Sequence, residues 1–164
     1  MEPMAKKELS HLDESGRARM VDVGGKPDSE RWAVARASVI MAPPTLQAAQ
    51  QGDLRKGDLR AVAELAGVMA AKRTASLIPL CHPLPLTHID VSVTLSEALP
   101  GAEITASVRT TGKTGVEMEA LTAASVAALT VYDMVKGLER GVRITDVRLV
   151  EKHGGRSGDI VLED

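Results

Sequence analysis

Phenylalanine is absent from this chain, and Trp32 and Tyr132 are its only other aromatics. The core must therefore be assembled from Leu, Val, Ile, Met and Ala, which suits helices packed closely on a sheet. Single-stranded nucleic acid is disfavoured as a partner, because base stacking needs several exposed rings. Charge of one sign is also missing: 20 Lys and Arg against 22 Asp and Glu leave a formal net charge of -2, so no overall basic field exists to draw nucleic acid.

Cysteine is equally scarce. Cys81 stands alone, so no internal disulfide can form, and without a second cysteine or a paired-ligand spacing a zinc site is disfavoured. The N-terminus MEPMAKKELS has no apolar signal core, and together with the lone cysteine this predicts a cytoplasmic protein. Long hydrophobic runs are lacking too. The uncharged stretch Ala120 to Tyr132 falls short of the roughly 20 residues that cross a bilayer and contains Thr and Ser, so no membrane partner is expected.

What is present fits a globular unit: 164 residues, 44% hydrophobic and 26% charged, are enough for a real core. Residues 1–8 read as a disordered tail and 9–164 as a single domain. A strand is predicted over Ala35 to Met41, and Pro43-Pro44 then opens a helix that Gly52 ends. From Asp58 a second helix carries an apolar stripe, Leu59, Val62, Ala63, Leu65, Ala66 and Met69, and closes on Lys72-Arg73, as the helix dipole favours. His88 to Leu95 and Glu103 to Arg109 alternate with period two about the Pro100-Gly101 turn, which predicts an antiparallel pair. Val116 to Glu139 is the longest helix and Arg143 to Val150 the last strand. This order predicts an α+β, ferredoxin-like βαββαβ subunit with an antiparallel sheet and helices on one face. A helix lying on a sheet normally shows charge on its outer side, and Ala120 to Tyr132 shows none, so a homo-oligomer covering that face is expected.

The stretch SLIPLCHPLPL, Ser76 to Leu86, brackets Cys81 and His82 with prolines, which stiffen it into an extended segment that aims side chains. Neighbours on an extended backbone point to opposite sides, so Cys81 and His82 do not form a nucleophile–base dyad, and Cys81 reads as a structural thiol. His82 sits in a loop pinned by Pro83, where either a ligand contact or a structural role fits. His11 and His88 carry no expected role. In TGKTGVEME, Thr111 to Glu119, the first glycine of a phosphate-binding P-loop is lacking, and Glu117 and Glu119 also complement the helix dipole. Asp133 and Lys136 share a helix face three residues apart, as an exposed ion pair or as an acid/base pair. Lys56, Lys72, Arg73, Lys152 and Arg156 are scattered cations. The last two flank Gly154-Gly155 in KHGGRSGD, where backbone amides and Ser157 can surround an anion, and convergence with Lys72 would suit a polyphosphate.

The motifs MVDV, KGD, AAKRT, LIPLCHPL, GKTGVEMEALTAASVAALTVYDM with Lys136, and KHGGRSGD occur in this order from about Leu9 to Asp159. In this the chain closely resembles the molybdenum cofactor biosynthesis protein C family, the cyclic pyranopterin monophosphate synthases. The resemblance implies a ferredoxin-like subunit, a homohexamer built as a trimer of dimers, and active sites at subunit interfaces. The implied reaction converts 3′,8-cyclo-7,8-dihydro-GTP to cyclic pyranopterin monophosphate with release of pyrophosphate, a lyase-type rearrangement without a redox step. It implies Asp133 and Lys136 as the catalytic pair, with Leu80, Cys81, His82, Met118 and Glu119 binding substrate. Arg31, Lys56, Lys72, Arg73, Glu117 and Lys152 match further active-site positions, and Arg156 stands where many members have Lys. Val135 replaces a frequent Cys. No cofactor is required, and assistance by Mg²⁺ is left open.

The alternative is a non-catalytic ferredoxin-like phosphate- or nucleotide-binding module, which would not need Asp133 with Lys136. Glu119 and Asp133 lie fourteen residues apart on one helix, about 21 Å at the α-helical rise, so a single small substrate touching both requires two subunits. Lys136 is expected to shuttle protons, its pKa lowered by burial and raised by Asp133, with Asp133 orienting it.

Overall fold

The computed structural model describes residues 10–163, so the tail expected over residues 1–8 lies outside the described residues. Alternation builds the sheet. Along β1 (Ser29–Ile40), Ala33, Ala35, Ala37 and Val39 point into the core, and along β3 (Gly101–Gly112) so do Ala102, Ile104, Ala106 and Val108. These small and β-branched residues leave room for helices close above the sheet. β2 (Leu86–Ser96) and β4 (Arg143–His153) flank that pair, and a two-residue strand β5 (Ile160–Val161) is added beyond β4. The order is β2-β3-β1-β4-β5 with every neighbour antiparallel, and its first four strands are the ferredoxin-like arrangement. β1 begins at Ser29 rather than Ala35, because Glu30, Arg31 and Trp32 pair with Thr111, Thr110 and Arg109 although their polarity hides the strand in the sequence.

Four helices follow from local signals. Pro43 opens α1 (Pro43–Gln51), and Gly52, with φ 74°, closes it in the left-handed conformation that glycine adopts without steric cost. Asp58 caps α2 (Leu59–Ala71) by accepting from the backbone N–H groups of Arg60 and Ala61, at 3.0 and 3.2 Å. A single turn, α3 (Thr74–Leu77), leads into the proline segment, and α4 (Glu117–Val135) spans the sheet.

The stripe expected on α2 is rotated in the structure. Leu59, Ala63, Gly67, Ala70 and Ala71 face inward, whereas Val62, Leu65 and Met69 are 41, 60 and 47% exposed. The cause is the α2–α4 contact: a Cβ on Gly67 would lie 3.0 Å from the Ala123 carbonyl oxygen and from a Val91 methyl, so close approach selects the small residues. On α4, Ala120, Ala123, Ala124, Ala127, Ala128 and Val131 are buried by the sheet and α2, and Leu129 is left 57% exposed. By length and hydropathy α4 resembles a spanning helix, yet half of it is buried inside the fold, where it serves as the central helix.

The antiparallel register gives the subunit two ends. At the basal end lie the start of β1 and α4 and the ends of β3 and β4, since Ser29 pairs with Gly112 and Trp32 with His153. At the apical end Ile40 pairs with Gly101 and Arg143, and α4 terminates.

Gly67→Val should lower the unfolding free energy by roughly 1–3 kcal/mol through overpacking, although it improves helix propensity. Urea titration of the two proteins checks this, and an unchanged midpoint would show that the helices have slack.

Candidate active site

At the apical end a loop before α2 brings Lys56 onto the last turn of α4. Its ammonium donates to the Asp133 carbonyl at 2.8 Å and to Asp133 Oδ2 at 2.7 Å, while Lys136 Nζ meets Oδ1 at 2.7 Å. The three-residue spacing on α4 and this loop contact make one carboxylate between two ammonium groups. Hydrogen bonds from Lys136 and Lys56 hold the Asp133 pKa down at about 2, and the Asp133 hydrogen bond and charge push Lys136 up. In the single chain Lys136 is 51% exposed, so the burial expected to bring it toward neutrality is missing and its shift runs in the opposite direction.

The other expected residues lie toward the basal end, most of them lining two cavities. One, of about 160 Å³, gathers Leu80, Cys81 and His82 from the proline segment with Glu117, Met118 and Glu119 from the first turn of α4. Thr110 pins that segment by donating to the Pro85 carbonyl at 2.8 Å. Glu119 is 4% exposed, and burial lifts its carboxyl to about pKa 7, with the neighbouring Glu117 charge adding to the rise. Burial, then the Glu119 charge, pushes the Cys81 thiol up, the reverse of what a nucleophilic thiolate needs. Met118 is exposed at the rim.

The second cavity, of about 300 Å³, is lined by Lys26, Ser29, Arg31, Gly155 and Arg156. Arg31 Nε donates to the Gly112 carbonyl at 2.9 Å, and its guanidinium lies against Gly155. Gly154 and Gly155 have φ +86° and +76°; a side chain on the first would strike the Glu30 carbonyl and on the second the Arg31 guanidinium. Lys152 is buried nearby, its ammonium donating to the Gly154 carbonyl at 3.0 Å and to the Ser157 hydroxyl. The Ser29 hydroxyl oxygen is buried without a hydrogen-bond partner, so this cationic cavity also holds an unspent donor. Lys72 and Arg73 stand exposed at the basal end of α2.

The fold thus unites Lys56, Asp133 and Lys136, and separately unites the basal residues. It does not bring the two groups together, because all 19 residues of α4, about 28 Å at the α-helical rise, run between them. Lys26, Ser29 and His11 enter the basal cavities without a sequence signal beyond their residue type. A larger cavity of about 440 Å³, beside α1, has Glu97 as its one charged lining residue and suits no anion. Among the described residues no group of three or more His, Cys, Asp or Glu side chains is placed to hold a metal ion.

The profile of the MoaC family matches residues 20–155. A protein of Roseiflexus sp. (strain RS-1) is 62% identical over 154 residues, covering 94% of this chain and 98% of that protein. One of Thermomicrobium roseum is 59% identical over 157 residues, covering 96% and 95%. One of Heliobacterium modesticaldum is 57% identical over 156 residues, covering 95% and 98%. Each of the three is named cyclic pyranopterin monophosphate synthase.

Glu119 generates a pH signature. The unfolded chain releases this proton near the ordinary value of 4.5 and the folded chain near 7, so stability falls as pH rises between those values and is level above. The loss is on the order of 3 kcal/mol. Glu119→Gln carries no such proton, so its stability relative to the parent should grow from pH 4.5 to pH 8 by that order. Parallel unfolding curves at both pH values check this; a constant difference would mean that Glu119 is ionised in the fold.

Proposed function

Given that the chain belongs to the MoaC family, we propose that it is a cyclic pyranopterin monophosphate synthase, a lyase of molybdenum cofactor biosynthesis acting on 3′,8-cyclo-7,8-dihydro-GTP. In this reading it releases pyrophosphate and works in the cytoplasm. The observation that carries it is the separation of the Lys56–Asp133–Lys136 cluster from the basal cavities by the length of α4. A substrate with a heterocycle, a ribose and three phosphates needs both kinds of chemistry at once. Two subunits provide them when the apical end of one meets the basal end of another.

Lys26, Arg31, Lys152 and Arg156, with Ser29 as a donor, take the triphosphate, and Lys72 and Arg73 extend that field at the same end. Cations there stabilise the negative charge that grows on the departing pyrophosphate as the cyclic phosphate closes. The reading requires no cofactor, and Mg²⁺ would enter only with the substrate's phosphates. Lys136 moves protons during opening of the five-membered ring, and Asp133, held between two ammonium groups, orients it. In the free subunit the pair is half exposed, so the neighbour must supply the desolvation that lowers the Lys136 pKa. Val62, Leu65 and Met69 on α2 and Leu129 on α4 give that association exposed apolar surface, in keeping with a homohexamer built as a trimer of dimers.

Incubation of the purified chain with the cyclic GTP derivative should yield pyrophosphate and the pterin product in equal amounts. Binding without product would favour a phosphate-binding module. Lys136→Ala and Lys136→Arg should each cut kcat by 100-fold or more with little change in substrate affinity, because guanidinium does not readily give up its proton. An active arginine variant would move the acid/base role elsewhere. Asp133→Ala and Glu119→Ala chains, each inactive alone, should recover part of the activity when mixed and reassembled. No recovery would place both residues in one chain's site.

A further inference from the structure

His11 lines the smaller basal cavity together with His82, Glu117 and Glu119, although it stands far from them in the sequence. It is delivered by a tight hairpin. Leu12 bridges Ala18, and Arg19 N–H donates to the His11 carbonyl at 2.8 Å. Asp13 ties the turn: its Oδ1 accepts from the backbone N–H groups of Ser15 and Arg17, both at 2.9 Å, and from the Ser15 hydroxyl at 2.6 Å. Arg17 Nε donates to Asp13 Oδ2 at 3.0 Å. These contacts draw the Asp13 carboxyl down to about pKa 2, so the tie persists through neutral pH.

Charge divides the two basal cavities between the parts of a nucleotide-like substrate. Lys26, Arg31 and Arg156 line one of them without an acid. The other holds Glu117, the buried Glu119 carboxyl and two imidazoles between Leu84 and Met118 with no Lys or Arg in its lining, a setting that offers phosphate no such cation and suits a flat, uncharged ring bearing N–H and C=O groups. Its volume of about 160 Å³ is below the few hundred Å³ of a site for a whole small molecule, so it takes one end of the ligand. We propose that His11 is a further substrate-contacting residue of this site, hydrogen-bonding the heterocyclic end of the substrate, and that the Asp13-tied hairpin positions it.

The inference rests on the function proposed above, and the test separates the two. The parent protein, His11→Ala, His11→Gln and Asp13→Ala are compared in steady-state turnover of the cyclic GTP derivative, with inorganic triphosphate as a competitive inhibitor. His11→Ala should raise KM at least 10-fold, leave inhibition by inorganic triphosphate unchanged, and be partly rescued by the hydrogen-bonding amide of His11→Gln. Asp13→Ala should raise KM in the same sense, and the double variant His11→Ala, Asp13→Ala should be no worse than His11→Ala, because both remove one contact. An unchanged KM in His11→Ala, with the parent active, overturns the inference and leaves the proposed function standing. Weakened triphosphate inhibition in His11→Ala also overturns it, by placing the residue at the phosphate end. A parent without turnover sinks the function itself, and this inference with it.

Discussion

Van der Waals contact between α2 and α4 sets how near the helical layer can lie to the sheet. Gly67 stands where a single added carbon would press on the Ala123 carbonyl, and alanines fill the buried side of α4. Thin side chains on both helices, over a sheet surface of alanine and valine, make a core from little volume per residue. Such a core gains by dispersion at short range what it lacks in aromatic area. It also turns the larger residues outward, so Val62, Leu65 and Met69 are left exposed on the subunit surface.

The same helix gives the subunit its polarity. One end of α4 carries an exposed carboxylate between two ammonium groups, and the other a buried carboxyl that keeps its proton near neutrality. Environment alone sets the contrast: Asp133 is stabilised as an anion by donors, whereas Glu119 loses water and faces the charge of Glu117. A carboxylic acid that stays protonated can donate a hydrogen bond, which an ionised one cannot. The basal site therefore offers donors of two kinds, neutral in one cavity and cationic in the other.

Much of this was legible beforehand. The β2–β3 alternation, Pro43 and Gly52 at the ends of α1, the helix that starts from Asp58 and the order of the four long strands follow from local rules, and each is found. The inward face of α2 was not legible, because hydrophobic periodicity weights Leu and Met over the Gly and Ala that close packing selects. Nor was the start of β1, where Glu30 and Arg31 carry no strand pattern. The proximity of Glu119 to Cys81 and His82 needed the crossing of α4 with the proline segment, and His11 needed a hairpin folding back over it. The direction of the Lys136 shift depends on exposure, which one sequence does not encode.

The chain's only tryptophan has an unusual neighbourhood. Trp32 stacks on His153, ring centroids 3.8 Å apart and 7° from parallel, with the Arg109 guanidinium 5.7 Å from the indole. His153 in turn hydrogen-bonds Glu151 and meets Asp159, and its pKa is raised first by the Glu151 hydrogen bond. An imidazolium quenches indole emission more strongly than a neutral imidazole does. The tryptophan emission of this protein is thus a single-site optical reporter of His153 and the loop that follows it, the loop that closes around Arg31, and no label is needed to watch it.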